Sequence, residues 1–571
     1  MRTSAWQRGR RVLFWMAASA ALAGTAAEAA DVAPSEAFQY RRLEVAFEAD
    51  ADPAASLDAD AIVADWSGPG GARFRLPAFW DGGRTWRVRF APPAPGRWTW
   101  CVAPADAPDG TSQIAQGALD VRPAAGPNPL DLHGGILRVS ENRRFLTCAD
   151  GTPFFWLGDT WWFCPSDLVP IDRSNRPDVP SMYRALVDTR AAQGYTVVHM
   201  AFLGDLVAGH GVSGDYSALF EGRIDTAYWQ TVDRYLDYAS AKGIVPVIGM
   251  GFHTGLDRPT PGQLQRLWRY VLARYGAHAV TFLISGEYNL ASQVDKDGRR
   301  AFSETDTQRV EKLLALGAFI KARDPYRRAM TIHPWYFLED EGQARGQAWC
   351  DVVMLQGSHL KEGPPVKTYL DLYRREPAKP LLEGECTYEG INGFTDAVVR
   401  RSAYKAIQSG SFGFTYGAHG LWYPTQDEKD ETFKEWGTPI PWWQALALPG
   451  GAQMKHLRAC YERVAWWRLE PAPADRLEDP PDGGARREAF VKADGDETIL
   501  IYFGPAERPT PAPHLRLGGA GGTYAATWFD PRTGKADPPP DRLAPEGGRL
   551  PLPPVPDQQD WVLILRRADT P

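Results

Sequence analysis

Two glutamates have the type and placement to do chemistry together: Glu287 in Ser285-Gly286-Glu287-Tyr288-Asn289, and Glu385 in Glu383-Gly384-Glu385-Cys386-Thr387-Tyr388-Glu389. They follow the short apolar runs Val280–Ile284 and Pro380–Leu382. Cleavage of a glycosidic bond needs two carboxyl groups facing each other across a sugar-sized gap. One protonates the leaving oxygen, and the other attacks C1 or activates water. The plainer alternative for each is a structural salt-bridge carboxylate. In a regular strand Glu383 and Glu385 share one face, so Glu383 is expected to support its neighbour and adjust its pKa, and Glu389 to reach the sugar from a loop.

Other apolar runs also end in polar and aromatic residues. The residues expected to bind substrate are Asp159, Trp161, Trp162, His199, His253, Tyr288, Asn289, His333, Trp335, Gln356, His359, Tyr388, Glu389, Tyr416, His419 and Trp422. For the first strand end two readings stay open. Asp159 accepts sugar hydroxyls over an indole floor, or it caps the following segment while Trp161 and Trp162 plug the core. Six of the ten histidines, His199, His210, His253, His333, His359 and His419, fall in or just after such runs. Neither H-x-H nor H-E-x-x-H occurs, so no metal site and no cofactor are expected. The 22 tryptophans, 21 tyrosines and 24 phenylalanines suit stacking on sugar faces, although most must serve as core.

These residues need a scaffold that brings strand ends together. Between about residues 130 and 467 eight apolar runs alternate with helical patterns: Phe154–Leu157, Thr196–Phe202, Ile244–Met250, Val280–Ile284, Ala329–Ile332, Val352–Leu355, Pro380–Leu382 and Gly413–Tyr416. Eight strand-helix repeats predict an α/β fold, a (β/α)8 TIM barrel, whose chemistry sits at the carboxyl ends of the strands. The fifth connection is the weak one, because Leu338–Ala348 has room for only a short helix. Residues 31–125 alternate with period two between Gly/Pro turns and predict an N-terminal β-sandwich, and 468–571 predict a C-terminal one.

Residues 1–30 read as an export signal: arginines to Arg11, an apolar run from Val12 to Gly24, and small residues before Asp31. Arg10-Arg11-Val12-Leu13-Phe14 resembles a twin-arginine signal, and both export routes stay open. The expected location is periplasmic or secreted, with no membrane contact after cleavage. Six cysteines lie far apart without a C-x-x-C pair; Cys148 with Cys164 is one pairing among many. The net charge of −7 includes a leader of +3, leaving a remainder near −10, which argues against nucleic acid as a partner. Oligomeric state is not legible.

The strand-end motifs resemble the apiosidase-like catalytic family of barrel glycoside hydrolases. The likeness rests on Phe154-Phe155-Trp156-Leu157-Gly158-Asp159-Thr160-Trp161-Trp162, on Ser285-Gly286-Glu287-Tyr288-Asn289, on Gly384-Glu385-Cys386-Thr387-Tyr388-Glu389-Gly390 and on Gly413-Phe414-Thr415-Tyr416-Gly417-Ala418-His419-Gly420. The leading domain is similar to the sandwich that often precedes such barrels, and the trailing one to a module labelled collagen-binding, a label that is no evidence of collagen binding. The resemblance implies hydrolysis at a terminal furanose or similar sugar of a polysaccharide side chain, with the acid/base at Glu287 and the nucleophile at Glu385. The family often carries aspartate where Glu287 stands, and a carboxylate one methylene longer reaches further.

The expected function is therefore a glycoside hydrolase acting on an oligosaccharide or polysaccharide through two carboxylates with retention. The rivals are a non-catalytic glycan-binding protein and a polysaccharide lyase. A lyase calls for a cationic cleft, and the strand ends carry almost no Lys or Arg.

Overall fold

The computed structural model describes residues 36–107, 112–201, 216–294, 300–335, 343–357, 359–478, 487–508, 510–519, 522–537 and 542–568. The expected leader, His210 and residues 338–342 of Leu338–Ala348 lie outside the described residues.

At the centre stand eight strands: β1 (Trp156–Trp161), β2 (Val197–Ala201), β3 (Val245–Phe252), β4 (Thr281–Gly286), β5 (Met330–Thr331), β6 (Val353–Gln356), β7 (Leu381–Glu385) and β8 (Ser411–Tyr416). All paired neighbours are parallel, in the order β5-β4-β3-β2-β1-β8-β7-β6. Such strands are buried on both faces, which is why their sequences read as continuous apolar runs. The sheet closes almost completely. At the β5–β6 seam the Thr331 hydroxyl donates to the Val352 carbonyl at 2.9 Å and the Val352 N–H to the Met330 carbonyl at 3.2 Å.

Around the strands lie α1 (Met182–Ala192), α2 (Thr226–Ala241), α3 (Pro261–Tyr275), α4 (Glu304–Arg323), α5 (Val366–Arg374), α6 (Asp396–Gln408) and α7 (Pro449–Tyr461). Their starts are set locally. Thr260 with Gln263, and Ser303 with Asp306, form reciprocal capping boxes at α3 and α4. Between β5 and β6 the described residues 343–350 form turns, not the short helix that was expected. The barrel is thus a TIM barrel in which no helix joins β5 to β6 among the described residues.

The N-terminal domain stacks a five-stranded sheet on a three-stranded one. Trp66, Trp86, Val88, Phe90 and Trp98 fill the space between, with Trp66 on Phe90 at 4.3 Å. It docks on α2 and α3 through buried charge. Asp233 accepts from Arg89 at 2.6 Å and from Arg274 at 2.7 Å, and Arg274 also pairs with Asp81 at 2.8 Å. The C-terminal domain, sheets of six and three strands, packs on α6. Arg400 holds Asp560 there with two bonds of 2.9 and 3.0 Å. All six cysteines are free thiols, including Cys148 and Cys164.

Candidate active site

Glu385 owes its direction to a bulge. Leu355 pairs with Glu383, yet the next residue, Gln356, pairs with Glu385, so Gly384 is the extra residue of β7. A side chain at Gly384 would meet the Met354 sulfur at 2.6 Å. The bulge undoes the alternation expected from a regular strand. Glu383 and Glu385 do not act as a pair: Glu383 accepts from Tyr369 of α5 and, at 3.0 Å, from the Gly357 N–H. Burial pushes Glu383 up to about 8 against those bonds. It anchors the turn that follows Gln356 and has no direct contact with the Glu385 side chain.

Glu385, beyond the bulge, faces the barrel mouth. His333 Nε2 lies 3.1 Å from its Oε2 and His359 Nε2 lies 3.4 Å from its Oε1. His333 approaches obliquely, and this contact lowers the carboxyl more than any other. Burial alone would raise this carboxyl; contact with His333, then His359 and the Gln356 amide, outweighs it and holds Glu385 down at about 2. His359 itself is pushed down by burial, as is His199, to about 3, with help from His333.

Glu287 comes from the end of β4, half-buried, with its backbone in the left-handed region at φ 45°. For a residue with a Cβ this conformation costs on the order of 1–3 kcal/mol and persists only when its surroundings impose it. They do. The His333 N–H donates to the Ser285 carbonyl at 2.9 Å, the Tyr288 N–H to the His333 carbonyl at 3.3 Å, and the Trp335 N–H to Asn289 Oδ1 at 2.7 Å. These bonds stitch the ends of β4 and β5 together on either side of Glu287.

Gln356 joins the two carboxylates. Its Nε2 donates to Glu287 Oε1 at 2.9 Å and to Glu385 Oε1 at 3.3 Å. The sum of these bonds, 6.2 Å, is the furthest apart those two oxygens can lie. With each taking its own amide N–H, about 120° apart, the separation is about 5.4 Å.

The rest of the wall is aromatic. The Trp162 indole N–H donates to the Tyr388 hydroxyl at 3.2 Å, and its ring lies 5.4 Å from both His333 and His199. The buried polar atoms here that lack a hydrogen-bond partner include Glu385 Oε2, His333 Nε2, Asn289 Nδ2 and His199 Nδ1. Buried polar atoms are ordinarily satisfied, so these mark a surface awaiting a polar ligand.

Of the residues expected at the site, the structure brings together Glu287, Glu385, His333, Gln356, His359, Tyr388 and Trp162, with His199 beneath Trp162 and Asn289 and Trp335 at the side. His419 lies nearby, its Nε2 3.3 Å from the Gly437 carbonyl, and Trp422 joins an aromatic cluster with Phe163, Tyr423 and Phe433. His253 opens a short turn after β3; its side chain is outside the described residues.

Five expectations are corrected. Asp159 is fully buried against Arg190 at 2.6 Å and takes no part in the mouth. Trp161 packs on Tyr183 of α1. Glu389 accepts from the Tyr416 hydroxyl at 2.6 Å and from the N–H groups of Gly450 and Gly451, which caps α7 and occupies Tyr416 as well. The Tyr288 hydroxyl is buried and accepts the Ala344 N–H at 3.2 Å. Two residues were missed. Phe252, edge-on to Trp162 at 5.2 Å, ends β3; Trp436, 5.1 Å from the His359 ring, sits in the long segment after β8, where no strand period marks it.

The profile of the apiosidase-like catalytic domain matches residues 140–468, more than half of the chain. The chain belongs to the apiosidase-like family. A domain of unknown function, DUF5060, matches residues 36–104. No curated protein matches the chain. Among solved structures, a candidate glycoside hydrolase from Bacteroides vulgatus superposes with a TM-score of 0.69 at 17% identity, covering 93% of this chain and 100% of that one. A second, described simply as a glycoside hydrolase, gives 0.60 at 22% identity over 76% of this chain and 98% of that one. A family 5 glycoside hydrolase, also from Bacteroides vulgatus, gives 0.58 at 20% identity over 76% and 94%. Those three likenesses speak to the fold. As an apiosidase-like protein this chain is a glycoside hydrolase, and its substrate is a carbohydrate.

Proposed function

We propose that this apiosidase-like enzyme releases a terminal pentose, a furanose first among the candidates, from an oligosaccharide or polysaccharide by a retaining two-carboxylate mechanism. The observation that carries the retaining course is the bridge through Gln356. Retention needs carboxyl groups about 5–5.5 Å apart and inversion about 6.5–9.5 Å, and the bridged oxygens lie within 6.2 Å.

In the first step the Glu385 carboxylate attacks C1 while Glu287, protonated, gives its proton to the leaving oxygen. The C1–O bond to the leaving group breaks and an ester to Glu385 forms. In the second step Glu287, now ionised, takes a proton from water, which attacks C1 and releases Glu385. Glu385 suits the nucleophile's part because its neighbours keep it charged down to about pH 2. His333 Nε2 and Asn289 Nδ2 are donors for sugar hydroxyls. With the leader expected over residues 1–30, the enzyme would act in the periplasm or outside the cell.

The test is a panel of aryl α- and β-glycosides, furanosides included, with the configuration of the first-formed sugar read by proton NMR. Retention is expected. Release of the opposite anomer would sink the assignment of Glu385 as nucleophile; binding of glycans without cleavage of any would favour a non-catalytic role.

A pH profile tests the part given to His333. His333→Ala removes the contact that lowers Glu385 most, so that carboxyl should rise from about 2 toward the ordinary glutamate value, about 4.3. The nucleophile is active only above its pKa, so the acid limb of kcat/KM moves to higher pH in the variant. An acid limb that stays in place while the rate falls uniformly would show that His333 acts on the sugar alone.

A further inference from the structure

Away from the catalytic mouth two cavities lie close together at the foot of the barrel, the first of them against the N-terminal sandwich. The first, about 350 Å³, is lined by Asp60, Arg75, Arg269 and Arg323. The second, about 320 Å³, is lined by Arg138, Arg327 and Asp351. A pocket of about 10 Å³ between them shares Pro77, Leu272 and Arg323 with the first and Pro325 and Tyr326 with the second. Both cavities are at the lower end of the range for small-ligand sites, about 300–1,000 Å³. The helices run antiparallel to the strands, so Leu272 and Arg323, near the ends of α3 and α4, lie at the end of the barrel opposite Glu287 and Glu385.

The charge of this groove is lopsided in a protein whose net charge is −7. Five arginines face two aspartates; Arg75 is paired with Asp65 at 3.2 Å, and Asp351 is held by Lys321 at 2.5 Å. Arg269 meets Asp60 only loosely, at 3.5 Å. Among the described residues Arg138, Arg323 and Arg327 have no carboxylate partner. The Arg323 guanidinium lies 3.9 Å from the centre of the Phe319 ring, and Arg269 lies 5.2 Å from the same ring. Two cations sharing one ring in a recess repel each other, and an anion placed between them relieves that repulsion.

The geometry points to a second carbohydrate site: the groove binds an acidic polysaccharide, its carboxylate or sulfate groups spaced along the two cavities, and holds the polymer away from the barrel mouth. A glycan is favoured over nucleic acid because the enzyme's substrate is a carbohydrate. Neither carboxylate of the proposed mechanism lines these cavities.

The test is affinity electrophoresis of the full chain through gels containing polygalacturonate, a chondroitin sulfate, neutral dextran or single-stranded DNA. Retardation by one or both acidic glycans and not by dextran is expected, falling as salt rises from about 0.05 to about 0.3 M. The two acidic arms tell carboxylate from sulfate. Arg323→Glu with Arg327→Glu, and separately Arg138→Glu, should each weaken retardation by at least about tenfold. These side chains are exposed, so melting temperature should hold. Glu385→Ala should be retarded as the wild type is, which separates this site from the catalytic one. The idea is overturned if no acidic glycan retards the wild type at low salt, if the charge reversals leave retardation unchanged, or if DNA retards it more strongly than either glycan.

Discussion

Glu385→Ala is expected to lower turnover of an activated aryl glycoside by about 10⁴-fold or more while the protein stays folded. In the proposed mechanism this side chain supplies the attacking oxygen, and it lies 3.1 Å from His333 and 3.4 Å from His359. The vacated volume beside the His359 and Gln356 nitrogens suits a small anion. Added azide should therefore restore part of the rate and give a glycosyl azide of inverted configuration, since azide then attacks C1 from the nucleophile's side.

Glu287→Ala should behave differently. Departure of a good leaving group such as dinitrophenolate needs little protonation, so those substrates lose little in the first step, whereas alkyl glycosides lose about 10²–10⁴-fold. Equal losses on both substrate types would remove Glu287 from the acid's role. Full activity of Glu385→Ala without azide would remove Glu385 from the nucleophile's.

The two glutamates were legible because each ends an apolar run, and a parallel barrel converts run ends into a shared mouth. The eight strands were legible for the same reason. What failed at β1 was in part readable too. Trp156 and Trp162 both turn to His199 inside the barrel, while Asp159 and Trp161 turn to Arg190 and Tyr183 of α1. Period two places 159 and 161 on one face and 162 on the other, so the sugar-platform reading of the three, one of the two left open, ignored the alternation. The bulge at Gly384 is another matter. Alternation argued that Glu383 and Glu385 act together, and only the pairing of Gln356 with Glu385 reverses it. Glu389 was beyond reach for a third reason: its partners Gly450 and Gly451 lie some sixty residues on, and nothing local announces that a helix start will need a carboxylate.

Asp233→Ala is expected to destabilise the enzyme by up to about 3 kcal/mol, because two buried guanidiniums lose their shared carboxylate while Arg89 keeps Glu44 and Arg274 keeps Asp81. Arg89 comes from the sandwich and Arg274 from α3; their side chains are 4% and 0% exposed, and Asp233 on α2 is 14% exposed. Both guanidiniums also lie within 5 Å of the Phe79 ring centre, so neither can swing out to water without breaking the packing of the two domains. Burial works against the charged carboxylate, but the bonds from Arg89 and Arg274 overcome it and hold Asp233 well below the usual range.

A carboxyl depressed in the folded state stabilises fully above its unfolded value, about 3.9, and loses that contribution as pH falls toward its folded value. The wild type should therefore lose melting temperature below about pH 4 more steeply than Asp233→Ala does, whose melting temperature is already low at pH 7. Thermal melts of both proteins between pH 3 and 7 measure this. Parallel curves would mean that the sandwich is held by its apolar contacts and that the ion cluster only fixes its orientation. Converging curves would show that the sandwich is a structural part of the enzyme, clamped to the helices that carry the β3 and β4 ends and hence Glu287.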